Sequence, residues 1–423
     1  MKQEELPKII IIGAGFAGIS MAKSFKNEAV NVLLIDQYNY HNFQPLMYQV
    51  ATGGLEPNSI AYPVRRIFRG YKNVSFRMAH VQKVDIASKQ LHTPTGTLDY
   101  DYLIIATGST NNYFDFEDVK DKLLTLKSIP DALNLRSYIF QNLESAVAKD
   151  STDSEEALLN IAIVGGGPAG IELAGALAEM KRFVLPKDFP DLDFSKMTIN
   201  LYEAAPKLLG SMSSNASDKS AQFLKELGVI VNVNAAVTDY DGKTMTLKDG
   251  STFMTNTVIW TAGVKGAPIA GLPESSIVSG NRIAIDAFNK VQGTDSIFAI
   301  GDVASHATEE SPKGLPMLAP VAEQQGAHLA KNIMKLVNGK TLEPFKYNDK
   351  GTMATVGRRR AVVDLPHYKF SGTFAWFIWM FLHIFSIIGF RNKIVAFIDW
   401  FTNYVSYDRP LGLIIRPFRT KEQ

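Results

Sequence analysis

Gly13, Gly15 and Gly18 in KIIIIGAGFAGISMA, and Gly165, Gly167 and Gly170 in NIAIVGGGPAGIELA, are spaced to let backbone approach a phosphate, twice in one chain. Four apolar residues precede each glycine turn and a helix-like stretch follows, the strand–turn–helix setting this motif requires. The glycines permit a tight turn, and a pyrophosphate then lies at the positive N-terminus of the helix. A carboxylate completes each arrangement. The strand NVLLIDQYN ends at Asp36, 23 residues beyond Gly13, and MTINLYEAAP ends at Glu203, 38 residues beyond Gly165. Acids at these strand ends accept hydrogen bonds from a ribose diol. The second spacing exceeds the usual ~20 residues, and RFVLPKDFPDLDF accounts for the surplus as an insertion. Negative charge at Glu203 repels a 2′-phosphate and so favours NADH over NADPH. The alternative for either acid is a solvated strand end. The pair of motifs predicts two bound dinucleotides.

The elements that must position these loops follow in order. YDYLIIATGST ends the first α/β region at Ala106, Thr107 and Gly108, small residues that let backbone press against a cofactor. Residues 131 to 150 read as helix, and STDSEE (151 to 156) as a polar linker. The segments VIVNVNAAVTDY and KTMTLKDGSTF read together as a hairpin-like insertion. NTVIWTAGV then repeats the small-residue strand end with Thr261, Ala262 and Gly263. SIFAIGDVA, with Asp302 at its end, reads as a strand returning to the first domain, where Asp302 can meet a flavin's ribityl chain or pyrophosphate. AEQQGAHLAKNIMKLV reads as a helix closing that domain.

Composition narrows the chemistry. A chain of 423 residues suffices for two or three domains. A formal charge of +2 and one short arginine run, Arg358 to Arg360, give no reason to expect nucleic acid. The first strand starts within eight residues, so no signal peptide is expected ahead of it. The chain has no cysteine, which excludes disulfides, Fe–S clusters and thiolate nucleophiles. Its seven histidines show no metal-ligand spacing and read as surface or core residues.

The last eighty residues differ in kind. FAWFIWMFLHIFSIIGF (374 to 390) is seventeen residues of mostly large apolar side chains, followed by Arg391 and Lys393, IVAFIDWFTNYV, and the basic tail RPLGLIIRPFRTKEQ. Trp376, Trp379, Trp400 and Tyr404 are of types that favour a membrane interface. Three readings stay open: a monotopic anchor in one leaflet, a buried helix or dimer interface, and a single span at the short limit of length.

These features together resemble the type II NADH:quinone oxidoreductases, over roughly residues 8 to 418. Beside the glycine motifs, HNFQPLMYQVATGGLEP (41 to 57), FAIGDVA, AEQQG, DKGTMATVGRRRAVVD (349 to 364) and DWFTNYVSYDR carry the likeness. It implies an α/β fold: two Rossmann-like dinucleotide-binding domains, as in glutathione-reductase-like flavoproteins, with a C-terminal membrane-anchoring region. The expected boundaries are an FAD-binding domain over 1–115 and 286–345, an inserted NADH-binding domain over 116–285, and a membrane and quinone-access region over 346–423.

The resemblance further implies FAD against Gly13, Ala14, Gly15, Phe16, Ala17, Gly18, Asp36, Gln37, Asn42, Gln44, Val81, Ala106, Thr107, Gly108, Asp302 and Ala319. NADH would meet Gly165, Gly167, Pro168, Gly170, Ile171, Glu203, Ala262 and Gly263. It also implies a functional glutamate at Glu172, placed by the sequence in the first turn of the second helix, with a raised pKa suited to proton transfer. An acid there also answers the helix dipole. The family's quinone pattern Ala-Gln-x-Ala-x-Gln appears as Ala319-Pro320-Val321-Ala322-Glu323-Gln324, so the first amide is replaced by Pro320. Gln324 is then a candidate for turnover, and with Gln325, Trp379 and His383 for lining a quinone site. The implied function is respiratory: hydride from NADH to FAD and electrons on to membrane menaquinone or ubiquinone, without proton pumping. A homodimer lying peripherally on the cytoplasmic side of an inner membrane is implied with it. A soluble FAD-dependent NADH reductase of a small electron carrier, and a non-enzymatic NADH-responsive flavoprotein, are the alternatives.

Overall fold

The computed structural model describes residues 6–148, 153–406, 413, 414 and 418. The first two residues of the polar linker and most of the basic tail lie outside them, as does the side chain of Tyr404. The chain forms two compact units, each assembled from three segments: 1–42, 61–110 and 264–349 in one, and 43–60, 111–263 and 350–423 in the other.

The first unit is built on a five-stranded parallel sheet in the order Ile297–Ala299, Tyr102–Ile105, Lys8–Ile12, Asn31–Asp36, Val74–Met78. Its strands are near-continuous apolar runs because a parallel sheet is covered on both faces. Ile9 to Ile12 are all at most 4% exposed. The helix Phe16–Ser24 packs closely on the helix Ala319–Val337. Gly326 makes that approach possible, since a Cβ there would lie 2.4 Å from the Ala17 carbonyl oxygen. An antiparallel trio, Lys83–Asp85, Gln90–Thr93 and Gly96–Asp99, adds to the core beside Val84 and Leu91.

The second unit repeats the plan. Its parallel sheet runs Leu124–Thr125, Thr257–Trp260, Ile161–Val164, Ile199–Glu203, Ile230–Val233. The helix Ile129–Ala148 matches the sequence expectation closely. The expected hairpin does not begin where the sequence suggests. Ile230–Val233 is the edge strand of the parallel sheet, and only Val237–Tyr240, Thr244–Leu247 and Thr252–Met254 form an antiparallel trio. Two short apolar runs separated by Asn234 look alike in sequence, and only their pairing separates them. Residues 182–194 extend the helix Pro168–Phe183 and add a turn of helix, Leu185–Asp188. A further antiparallel sheet, Thr352–Thr355, Ala361–Asp364 and Lys369–Gly372, leads into two helices, Thr373–Ser386 and Phe390–Val405.

Candidate active site

In the first unit, Gly13 occupies φ +108°, and a Cβ on it would sit 2.2 Å from the Ala106 carbonyl oxygen. Glycine is thus required where the loop meets the end of the strand Tyr102–Ile105. Gly15 is different: a Cβ there would meet no protein atom within 4 Å. It caps the helix Phe16–Ser24, whose first N–H groups receive no side-chain cap. The result is an open cradle at a helix N-terminus, the geometry that accepts a pyrophosphate. Asp36 accepts from Ala14 N–H at 2.6 Å and from Tyr38 N–H at 2.8 Å. Burial pushes its carboxyl above the usual range, while the Ala14, Tyr38 and Gln37 N–H groups pull it down. Beneath the loop, buried His41 donates from Nδ1 to the Ala14 carbonyl at 2.9 Å and sets its edge against Phe16. Burial lowers its pKa to about 4, so it is a neutral brace for the loop. The sequence read this histidine only as scattered.

The same unit gathers most other residues expected around the first dinucleotide. Ala17 and Gly18 are buried in the helix, and Gln37 is exposed next to Asp36. Asn42 presents a buried Oδ1 with no hydrogen-bond partner, an acceptor that suits a cofactor donor. Thr107 donates to Ala267 O at 2.6 Å, and Gly108 at φ +70° has open space beside it. Asp302 accepts from Ser109 Oγ at 2.6 Å. Ala319 begins the helix Ala319–Val337. Val81 is partly buried and packs against the core. Gln44, exposed at the start of a short 3-10 turn, belongs to the second unit.

The second unit reproduces the cradle. Gly165 has φ +115°, and its Cβ would lie 2.6 Å from Ala262 backbone. Gly170 is pressed on the Gly165 carbonyl, with Thr261 Oγ1 2.8 Å from its would-be Cβ. Gly167 caps the helix Pro168–Phe183 with nothing within 4 Å of a Cβ, and Pro168 takes the position where a missing N–H costs nothing. Ile171 is fully buried, and Ala262 and Gly263 follow the strand Thr257–Trp260. Glu203 accepts from Gly166 N–H at 2.6 Å and Ala205 N–H at 2.8 Å. Each strand-end carboxylate is therefore clamped to the N–H following the first glycine of its own loop.

Glu172 is the fifth residue of its helix, past the first turn, which holds no acid. The helix-dipole explanation, which falls off within that turn, does not reach it. It is 8% exposed, and burial raises its pKa to about 8 against one opposing hydrogen bond from Thr355 N–H at 3.3 Å. Gly175 explains how that N–H comes near: a Cβ there would lie 2.5 Å from Gly357 N, so the backbone after the strand Thr352–Thr355 lies directly on the helix. Glu179, buried and seven residues beyond Glu172, accepts from Arg358 N–H on the same face. Glu172, Gly175 and Glu179 form one seam that seats residues 355–358. Tyr48 Oη lies 2.9 Å from Thr355 Oγ1, fully buried, and its ionisation is suppressed by burial and by Glu172. Tyr48, Thr355 and Glu179 were not singled out from sequence; Tyr48 and Thr355 lie 307 positions apart.

A family profile described as pyridine nucleotide-disulphide oxidoreductase matches residues 7–326, and one described as the NDH2 C-terminal domain matches residues 350–406. A type II NADH:quinone oxidoreductase of Mycobacterium tuberculosis is 34% identical over 421 residues, covering 95% of this chain and 89% of that protein. The chain belongs to the type II NADH:quinone oxidoreductase family. The Staphylococcus aureus member is 29% identical over 375 residues, 85% of this chain and 90% of that one. Among solved structures, NDH2 from Plasmodium falciparum in complex with NADH superposes with TM-score 0.87 at 22% identity, covering 96% and 100% of the two chains. A sulfide:quinone oxidoreductase from Aquifex aeolicus shares the fold at TM-score 0.72 and 17% identity, over 94% of this chain and 95% of that one. FAD and NADH are the cofactors that membership of this oxidoreductase family implies.

The remaining candidates of this type II oxidoreductase fall in different units. Gln324 and Gln325 lie in the first, Trp379 and His383 in the second. Gln324 spends both amide atoms on Asn348, donating to its carbonyl and accepting from its N–H, each at 3.0 Å. Gln325 is buried and accepts from Gly301 N–H at 2.8 Å. Trp379 and His383 stack at 4.1 Å, and His383 Nδ1 donates to the Trp379 carbonyl at 2.8 Å. Burial lowers the pKa of His383 to about 4, leaving it neutral. The tryptophans are not on the surface, as an interfacial role would need: Trp376, Trp379 and Trp400 are 7%, 1% and 6% exposed. Phenylalanines face outward in their place, with Phe374, Phe381, Phe385, Phe390 and Phe401 all at least 58% exposed. Helical spacing, with two faces per helix, decides which aromatic points in. Among the described residues no helix is long and apolar enough to cross a membrane.

Proposed function

We propose that this protein carries out NADH:quinone oxidoreduction without translocating charge, FAD in the first cradle and NADH in the second. The observation that carries the reading is the pair of open glycine cradles, each with its carboxylate clamped to the loop, together with a buried acid, Glu172, on the helix that follows the second cradle. FAD, when bound, supplies the two-electron relay between a hydride donor and a quinone. The overall reaction, NADH + H⁺ + quinone → NAD⁺ + quinol, consumes one proton. Glu172 meets that need, since burial keeps its carboxyl protonated at neutral pH while leaving it able to give the proton up. The acceptor is menaquinone or ubiquinone, and the candidate quinone residues are carried by each unit separately, Gln324 and Gln325 in the first, Trp379 and His383 in the second. Gln324 holds Asn348 from a position one turn past Pro320, which stands where the family pattern has an amide. Anaerobic stopped-flow tests the reading: NADH should bleach the flavin absorbance, and a soluble quinone analogue should restore it at a matching rate. Flavin that stays reduced on adding quinone would refute it.

Glu203 gives a selectivity prediction. Its charge stands where a 2′-phosphate would lie, so Glu203→Gln should raise kcat/KM for NADPH relative to NADH by roughly tenfold, about 1.4 kcal/mol of relieved repulsion. An unchanged ratio in steady-state assays would remove Glu203 from the ribose site.

The outward phenylalanines of the two C-terminal helices suit the outer part of one leaflet. The protein is then peripheral on the cytoplasmic face of an inner membrane. Phe381→Asp with Phe401→Asp should abolish co-sedimentation with anionic vesicles yet leave NADH oxidation by ferricyanide intact. Retained vesicle binding, with a change from dimer to monomer mass, would instead assign the face to a second copy of the chain.

A further inference from the structure

A line of hydrogen bonds runs from the C-terminal helix to the neighbourhood of Glu172. Trp400, on the helix Phe390–Val405, donates from Nε1 to Gln49 Oε1 at 2.6 Å. An indole N–H can only donate, so it identifies the Gln49 oxygen and turns the amide nitrogen the other way. Gln49 Nε2 accordingly donates to Tyr48 Oη at 2.9 Å. Tyr48 Oη and Thr355 Oγ1 then share a hydrogen bond at 2.9 Å that either hydroxyl can donate. Thr355 in turn is the residue whose N–H meets Glu172. Trp400 is 6%, Tyr48 7% and Thr355 1% exposed, so water does not compete for most of this line. It borders a cavity of ≈ 60 Å³ lined by Tyr48, Gln49, Glu179, Trp379 and Trp400, among others.

We propose that Tyr48, oriented by Gln49 and Trp400, is a positioning residue for Glu172, tying the proton affinity of that carboxyl to the seating of the helix Phe390–Val405. Three observations support it. The indole donor fixes which way the Gln49 amide faces, so its loss frees that amide to rotate away from Tyr48. The hydrogen bond that opposes deprotonation-resisting burial at Glu172 comes from Thr355, the residue the line holds. The ionisable side chains near that carboxyl are few. The helix Met47–Ala51 brings Tyr48, the strand Thr352–Thr355 brings none, and Glu179 lies two turns along Glu172's own helix. A helix whose outer face is apolar and whose inner face holds Trp400 can therefore transmit its seating to the proton-handling group.

The inference rests on the reading of Glu172 as that group, and the test separates the two. Quinone-analogue turnover of the FAD-loaded full chain is followed from pH 6 to 10 for wild type, Glu172→Gln, Tyr48→Phe, Trp400→Phe and the Tyr48→Phe/Trp400→Phe double variant. Wild type should lose activity through about pH 8, and Glu172→Gln should lack that limb. Each phenylalanine variant weakens the one hydrogen bond that favours the carboxylate, so its limb should move up by roughly half a pH unit with KM for NADH unchanged. The double variant should move no further than the single ones, since both break one line. A missing limb in Glu172→Gln, with wild-type limbs in both phenylalanine variants, overturns this inference and leaves the reading of Glu172 standing. Shifts that add in the double variant also overturn it. A limb that persists in Glu172→Gln overturns the reading itself. Gln49→Met, which keeps the side-chain volume, supplies the same comparison should Trp400→Phe fail to bind FAD.

Discussion

Glu172→Gln should lower quinone-dependent turnover by roughly a hundredfold at neutral pH, the lower end of the range for losing a positioned proton donor. The same substitution should stabilise the protein in alkali. The carboxyl is 8% exposed, and its folded pKa of about 8 stands above its ordinary value of 4.5. Below the ordinary value both folded and unfolded chains hold the proton, and the folded state carries no penalty from this group. As pH rises from there to about 8, the unfolded chain releases the proton and the folded chain keeps it, so stability falls. Above about 8 the full cost is present, about 5 kcal/mol at ~1.4 kcal/mol per pH unit. A glutamine carries none of that cost and still offers an oxygen to Thr355 N–H. Thermal midpoints of variant and wild type should therefore coincide near pH 5 and separate, variant higher, by pH 9. Parallel curves across that range would mean that Glu172 is solvated, and the proton role would go with it.

Gly13→Ala and Gly15→Ala should fail in different ways although they stand two residues apart. At Gly13 a methyl group is driven into the Ala106 carbonyl at 2.2 Å, in a left-handed conformation that alanine resists. The strand ends must separate, at a cost of about 3 kcal/mol or more. We expect an unstable, FAD-free protein. At Gly15 the backbone φ is −74°, and the methyl group meets only the space a pyrophosphate would fill. Here the fold should survive while FAD is lost on dialysis, read from the ratio of flavin to protein absorbance and from circular dichroism. Gly167→Ala is the counterpart in the second unit: FAD should stay bound and KM for NADH should rise. FAD retained normally by Gly15→Ala would show that the first loop does not carry the pyrophosphate.

The local elements of both cradles were legible because their signals are short-range. A β-strand of four apolar residues, a glycine forced to positive φ, and an acid at the end of the following strand all lie within about forty residues of one another. The duplication was legible for the same reason, and four strands of each sheet do repeat one order, while the fifth is supplied by Ile297–Ala299 after them in one sheet and by Leu124–Thr125 ahead of them in the other. Ile230–Val233 was misread because a strand is assigned by its partner, and Glu203's strand, its partner, lies some thirty residues earlier. The tryptophans were misread because residue type suggests an interface, whereas the phase of a helix decides which side is buried. Trp379 and His383 illustrate the difference: four residues apart, they stack on each other at 4.1 Å.

By itself the sequence determined that this chain holds two dinucleotide cradles, works without thiol chemistry and carries an aromatic C-terminal region. Glycine, carboxylate and cysteine act through their own backbone freedom, charge or absence, which need no distant partner to be recognised. The tertiary structure alone decided the environment of Glu172. Its proton affinity comes from burial on a helix face kept close to residues 355–358 by Gly175, and from an N–H supplied 183 positions away. Desolvation and long-range hydrogen bonds belong to the packed chain, and no local pattern of residue types encodes them.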